Sequence, residues 1–197
     1  MTLSYAARAL ILETEGFSSK PDWPGGQSGV TIGFGYDIGY VTVDQFESDW
    51  GELVKPPVCR RLRAVIGVRA LRARNRVGEL SDVRVSRKAA EQVFNARTLP
   101  LYELRAAQAF PGLDALPEDA RGALVSLVYN RGTSMVDSSP EDRRREMRAI
   151  RAAVARGNLA EIAAQLRSMK RLWEGQGLGG LIARREEEAQ LVESAVA

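Results

Sequence analysis

The sequence predicts an α+β fold that is mostly α, with about eight to ten helices and a small sheet near the N-terminus. Apolar residues recur at helical spacing through most of the chain. One stretch alone alternates with period two, Gly29-Val30-Thr31-Ile32-Gly33-Phe34-Gly35-Tyr36-Asp37. No polar linker or repeat interrupts the helical patterns, which argues for one domain over residues 1–197.

The first helix follows from Leu3, Ala6, Ala7, Leu10 and Ile11, and Gly16 is a natural residue just past its end. Glu15 then sits on the unfavourable end of the helix dipole, a local cost with no evident structural return. It reads either as a functional carboxylate or as a solvated Glu at a frayed end. In the alternating stretch, Val30, Ile32, Phe34 and Tyr36 form the apolar set. It is one strand, or a hairpin about a tight turn Gly33-Phe34-Gly35. Either way Thr31 and Asp37 share a side, over a surface poor in side chains. Glycine in a strand often marks close approach by a ligand or another backbone.

Val43 to Leu53 reads as a short helix with Phe46 and Trp50 on one side, interrupted by Pro56 and Pro57. Cys59 to Ile66 and Val68 to Val77 follow, separated by Gly67. Ser86 caps a helix beginning at Arg87, Pro100 ends or kinks it, and the pattern continues from Leu101 to Phe110. Pro117 suits a first helical position. Ala120, Ala123, Leu124, Leu127 and Val128 make so complete an apolar face that this helix should be central. Ser139-Pro140-Glu141-Asp142 resembles a cap for a helix running to Arg156, which Gly157 closes. Asn158 and Glu161 cap the next, and a glycine-rich loop, Gly175 to Gly180, precedes the last.

Composition narrows the chemistry. The 197 residues contain no histidine and one cysteine, Cys59, which reads as an inert buried thiol. Ser-His-Asp and Cys-His catalysis are excluded, the commonest metal ligand is missing, and carboxylates lead for acid–base work. The net charge is +3. Arginines cluster at Arg60, Arg61, Arg63, Arg69, Arg72, Arg74 and Arg76, and again at Arg143, Arg144 and Arg145. They are solvated helix faces or an attraction for a polyanion. The N-terminal apolar run is short and broken by Glu13 and Glu15, unlike a signal peptide, and no segment is long enough to span a membrane.

Glu15-Gly16 followed by Ser28-Gly29-Val30-Thr31-Ile32-Gly33-Phe34-Gly35-Tyr36-Asp37 resembles the active-site region of phage-type muramidases of the lysozyme superfamily, and most of all the pesticin-type lysozyme domains. Two weaker stretches agree. Ala123 to Gly132 is similar to the family's central helix with its Asn-x-Gly end, and Gly180 to Glu188 to its Arg-Arg-x-x-Glu helix. The resemblance implies a lysozyme-like fold, with a small hairpin lobe over about residues 14–55, a helical lobe from the remainder, and a cleft between them. It implies hydrolysis of the β-1,4 bond between N-acetylmuramic acid and N-acetylglucosamine, with an inverting course expected. Carried over by position, Glu15 is the general acid, Asp37 the second carboxylate and Thr31 the hydroxyl near the attacking water. Gly33, Gly35, Tyr36, Asn130 and Arg131 would contact substrate.

Many relatives place the second carboxylate between the Glu and the Thr. Here that loop is Pro21-Asp22-Trp23-Pro24-Gly25-Gly26, so Asp22 is a rival or a turn residue beside proline. Asp37 is preferred because hairpin geometry ties it to Thr31. The expected partner is the glycan strand of peptidoglycan, with no nucleic acid, metal, cofactor or membrane insertion, and a monomeric state. The chain is expected to be made in the cytoplasm without a signal peptide and to act on the wall, in the periplasm or outside the cell, after release or delivery. A wall-binding module that no longer cuts is the alternative. A basic nucleic-acid-binding domain leaves the carboxylate–glycine element unexplained.

Overall fold

The computed structural model describes residues 3–195, and at Glu15 the backbone alone. Among the described residues, the elements in chain order are α1 (Tyr5–Glu15), β1 (Ser18–Asp22), β2 (Thr31–Gly33), β3 (Tyr36–Asp37), α2 (Val43–Trp50), α3 (Pro56–Arg63), α4 (Ala70–Val77), α5 (Arg87–Val93), α6 (Leu99–Ala109), α7 (Glu118–Arg131), α8 (Arg145–Val154), α9 (Leu159–Ser168) and α10 (Gly179–Ser194). Contacts divide the chain into two compact units: Glu15–Leu99, and the residues up to Thr14 together with those from Pro100 onward.

The first unit is built on an antiparallel sheet of order β1-β2-β3. Of the two readings of the alternating stretch, the hairpin is observed. Phe34 and Gly35 form the turn, and Thr31 faces Asp37 while Ile32 faces Tyr36. Gly33 and Gly35 have φ of +64° and +76°, which L side chains rarely adopt. The sheet's apolar side meets helices from well beyond residue 55. Phe34 packs edge-on against Phe94 with ring centroids 6.0 Å apart, and Tyr36 lies 5.6 Å from Trp50. Ile32, Ile38, Phe46, Trp50 and Leu62 are fully buried with them. Each such side chain contributes roughly 1.5–3 kcal/mol of burial. These contacts explain why the hairpin clusters with everything up to Leu99.

β1 has no counterpart among the sequence expectations. Ser-Ser-Lys-Pro-Asp carries no apolar alternation, and proline argues against a central strand. It forms because it is an edge strand. Ser19 accepts a hydrogen bond at its carbonyl from Val85 N, and Pro21 is buried. Asp22 is therefore the last residue of a strand, not a free loop residue, and it pairs with Thr31.

In the second unit α7 is central as expected. Ala120 and every residue from Gly122 to Val128 are buried. A Cβ on Gly122 would lie 2.0 Å from Ala7 Cβ of α1, so only glycine allows this approach. Gly122→Ala gains about 1 kcal/mol of helix propensity. Forcing α1 and α7 apart costs more, so a net loss of roughly 1–3 kcal/mol is expected in chemical denaturation. An equally stable variant would overturn this packing account.

Four boundaries differ from expectation, each for a local reason. α3 begins at Pro56 instead of Cys59, because proline is tolerated in the first turn, where an N–H lacks a partner anyway. Pro117 is the cap of α7 rather than its first residue. Pro100 neither stops nor visibly breaks its helix. A π-turn over Phe94–Thr98 precedes α6, with Leu99 N bonding Phe94 O, and a widened turn accommodates the missing proline donor. The helix expected from Ser139 starts six residues later. Asp137 accepts from the backbone N–H of Ser139 and Arg143 and from the Ser139 hydroxyl, so that hydroxyl is not free to cap. The caps at Ser86 and Asn158 are as expected.

Two buried carboxylates organise this unit. Glu146 is fully buried and accepts from Arg145 and Arg171, at 2.8 and 2.6 Å. Burial works to raise its pKa, but these bonds prevail and hold it below the usual carboxylate range. Glu188, on α10, accepts from Ser126 Oγ at 2.6 Å and from Arg185 at 2.7 Å. Arg184 donates to the Ser126 carbonyl at 3.1 Å. Burial pushes the Glu188 carboxyl up and the Arg185 guanidinium down, while their mutual attraction opposes both shifts. No described helix is long and apolar enough to cross a membrane.

Candidate active site

Three of the candidate side chains come from neighbouring strands in one row. Asp22 on β1, Thr31 on β2 and Asp37 on β3 are register partners, with Thr31 in the middle. Directly opposed residues in antiparallel strands share a face, with Cβ atoms about 4.5–5.5 Å apart. The row is therefore carboxylate, hydroxyl, carboxylate.

The two carboxylates are held differently. Asp37 Oδ1 accepts from Gly29 N at 3.0 Å and Gly39 N at 2.9 Å, and Oδ2 also lies 3.0 Å from Gly29 N. A Cβ on Gly29 would lie 2.4 Å from Gly39 Cα, so the two backbones touch and Asp37 clasps them together. The signal for this in the sequence is the pair of glycines, eight residues before Asp37 and two after. Asp22 is exposed and has no side-chain hydrogen bond or ion pair among the described residues. It is still well placed. Trp23 Nε1 donates to Ser28 O at 3.0 Å, Ser28 N bonds Gly25 O, and Tyr40 Oη donates to Gln27 O at 2.9 Å, which pins the loop after it.

Thr31 Oγ1 is buried and has no partner among the described residues. A hydroxyl left so costs about 1–3 kcal/mol, and in native proteins it calls for an explanation. Glu15 ends α1 and leads through Gly16, with φ +69°, and Phe17 into β1. Its side chain lies outside the described residues.

The glycines and Tyr36 answer first to structure. Gly33 is buried, and a Cβ there would lie 2.9 Å from Ala90 Cβ. Gly35 is exposed in the turn. Tyr36 Oη donates to Asp49 at 2.8 Å, and Asp49 is also paired with Arg97 at 2.9 Å. Burial first, then Asp49, pushes the Tyr36 phenol far up, so it stays a donor. Asp49 and Arg97 had no motif to announce them.

Asn130 and Arg131 end α7, in the other unit. Arg131 donates to Arg143 O at 2.6 Å and lies over the Trp173 ring, 5.1 Å from its centroid. Burial and then the neighbouring Arg144 lower its pKa to about 10, which leaves it charged at neutral pH.

The fold is similar to the crystal structure of the active form of the P1 phage endolysin Lyz. The TM-score is 0.58 at 20% identity, over 99% of this chain and 86% of that one. The chain accordingly has a lysozyme-like α+β fold, mostly helical with a small antiparallel sheet. A search of the curated proteins finds no match. A family match covers residues 3–104, from before α1 through the hairpin and into α6, more than half of the 197 residues. The chain therefore belongs to the family described as a domain of unknown function, DUF8812.

Proposed function

We propose that the chain is a peptidoglycan hydrolase, a muramidase cutting the β-1,4 bond between N-acetylmuramic acid and N-acetylglucosamine. The observation that carries this reading is the Asp22–Thr31–Asp37 row, within a fold like that of a phage endolysin. Glycoside hydrolysis uses one carboxyl as acid and a second that is ionised. Glu15, protonated, gives its proton to the leaving glycosidic oxygen. Thr31 positions a water, and an ionised carboxylate of the row takes the proton as that water attacks.

Asp37 and Asp22 both flank Thr31, and their surroundings favour Asp22 for the chemical step. Every oxygen of Asp37 is engaged by backbone N–H groups. Its part is to hold β3 and the start of β2 in register beside Thr31. Among the described residues, no group engages the oxygens of Asp22. Gly35 and Tyr36 border the row, and Gly33 supports it by packing. The glycine-bounded Thr-Ile-Gly-x-Gly-Tyr-Asp pattern supports a pesticin-type branch. The substrate places the reaction at the cell wall, with an inverting course and a monomeric enzyme needing no cofactor.

Mass spectrometry of peptidoglycan incubated with the protein tests this. Fragments ending in reducing muramic acid are expected. Anhydro ends would assign the chain to lytic transglycosylases. Wall binding without any fragments would make it a module that no longer cuts.

A further inference from the structure

A groove of about 790 Å³ lies in the hairpin unit, lined by Gly26 and Gln27 on one side and by residues 66–72 on the other. No acidic side chain lines it, and two of its residues are Arg69 and Arg72. Nearby arginines are already paired: Arg61 with Asp82, Arg63 with Glu47 and Arg76 with Glu79. Neither Arg69 nor Arg72 meets a carboxylate among the described residues. Arg69 lies over the Tyr40 ring at 4.9 Å, which orients its guanidinium. Ile66, Val68 and Leu71 add apolar surface, and Leu71 is 63% exposed.

The groove is tied to the candidate site. Gly26 and Gln27 belong to the loop that joins Asp22 to Thr31. Ala70 N donates to Ser28 O at 2.8 Å, and Gly29 pairs with Arg69 as an isolated bridge. Gly29 is also the residue that Asp37 clasps.

We propose that this groove binds a short acidic peptide, the carboxylate-bearing branch of the wall polymer whose glycan occupies the Thr31 row; the inference rests on the muramidase reading for the identity of that polymer. Guanidinium groups recognise carboxylates through paired N–H donors. Ile66, Val68 and Leu71 suit alkyl side chains, and a groove of this volume suits a few residues. Nucleic acid fits less well. Sequence-tolerant binding of a strand uses a track of free cations with open aromatic faces. Here Arg74 lies over the Trp23 ring, and Arg69 occupies one face of Tyr40.

The test is titration of the full chain, read by amide NMR, with the N-acetylated stem peptide N-acetyl-L-alanyl-γ-D-glutamyl-L-lysyl-D-alanine, whose two carboxylates outnumber its one ammonium. Parallel arms use its carboxamide form, inorganic phosphate, a phosphodiester wall polymer and a short DNA duplex. The acid peptide should shift resonances of residues 26–27 and 66–72, and the carboxamide form should not. Arg72→Glu should weaken binding by about tenfold or more. Arg69→Lys, which keeps the charge but loses the planar fork, should weaken it less. The exposed position of Arg72 lets the spectrum itself confirm folding of the variant. Equal binding by Arg72→Glu, equal binding of the carboxamide, shifts elsewhere, or tighter binding of phosphate, polymer or DNA lost in the same variants would overturn the proposal. Binding is read without cleavage. Peptide bound with no glycan fragments made would reject the muramidase reading and keep the groove. Fragments with no peptide bound would do the reverse.

Discussion

Asp22→Asn is expected to lower the rate of wall hydrolysis by about two to four orders of magnitude while leaving the melting curve in place. Its carboxylate is exposed and has no partner among the described residues, so the amide removes a base and none of the hydrogen bonds described. Asp37→Asn should behave differently. The amide can keep its oxygen at Oδ1 for Gly29 N and Gly39 N, but it turns an NH2 donor toward Gly29 N–H in place of Oδ2 and loses the charge that strengthens both bonds. A stability loss of roughly 1–3 kcal/mol should accompany any fall in activity. The two variants thus separate chemistry from positioning by whether activity and stability fall together. Turbidity clearing of purified walls and thermal melts of both proteins decide the matter. A dead, fully stable Asp37→Asn beside an active Asp22→Asn would move the chemical role back to Asp37.

Glu188→Ala should be the most damaging single change to the fold, at about 3–5 kcal/mol. Removing the carboxylate leaves Arg185, fully buried, without its anion at 2.7 Å. It also strips Ser126 of its acceptor at 2.6 Å. The loss reflects the stranded cation more than the strength of the pair, because taking these charges out of water is itself costly. Replacing Arg185 and Glu188 together by apolar residues of similar size should therefore recover part of the stability. Urea denaturation of the single and double variants measures both. A double variant no better than Glu188→Ala would show that the pair stabilises the unit in its own right.

The parts legible in the sequence are those where one local signal decides. The face of α7 was visible because seven successive positions, from Gly122 to Val128, hold enough small and apolar residues to be buried all round. The hairpin was legible as one of two readings, because glycines bracket Phe34 within a period-two pattern that also suits a single strand. Serine and asparagine caps were read correctly where no competing acceptor stood nearby. At Ser139 one did, and Asp137 took the groups the cap needed. β1 was hidden because an edge strand covered by Val85 needs no apolar alternation of its own. Reading Asp22 as a turn residue beside proline followed from that, whereas β1 carries it opposite Thr31. The clasp made by Asp37 depends on Gly29 touching Gly39, a tertiary contact that no spacing announces.

The edge of that sheet bears on how the protein behaves in concentrated solution. An open strand edge invites other chains to extend the sheet, the first step of many aggregates. Along β1, the Ser19 carbonyl is already engaged by Val85, and the next outward position, Pro21, is buried and has no N–H to offer. A second copy approaching this edge would find one acceptor occupied and one donor missing. The proline that makes β1 hard to read thus also blunts this edge of the sheet.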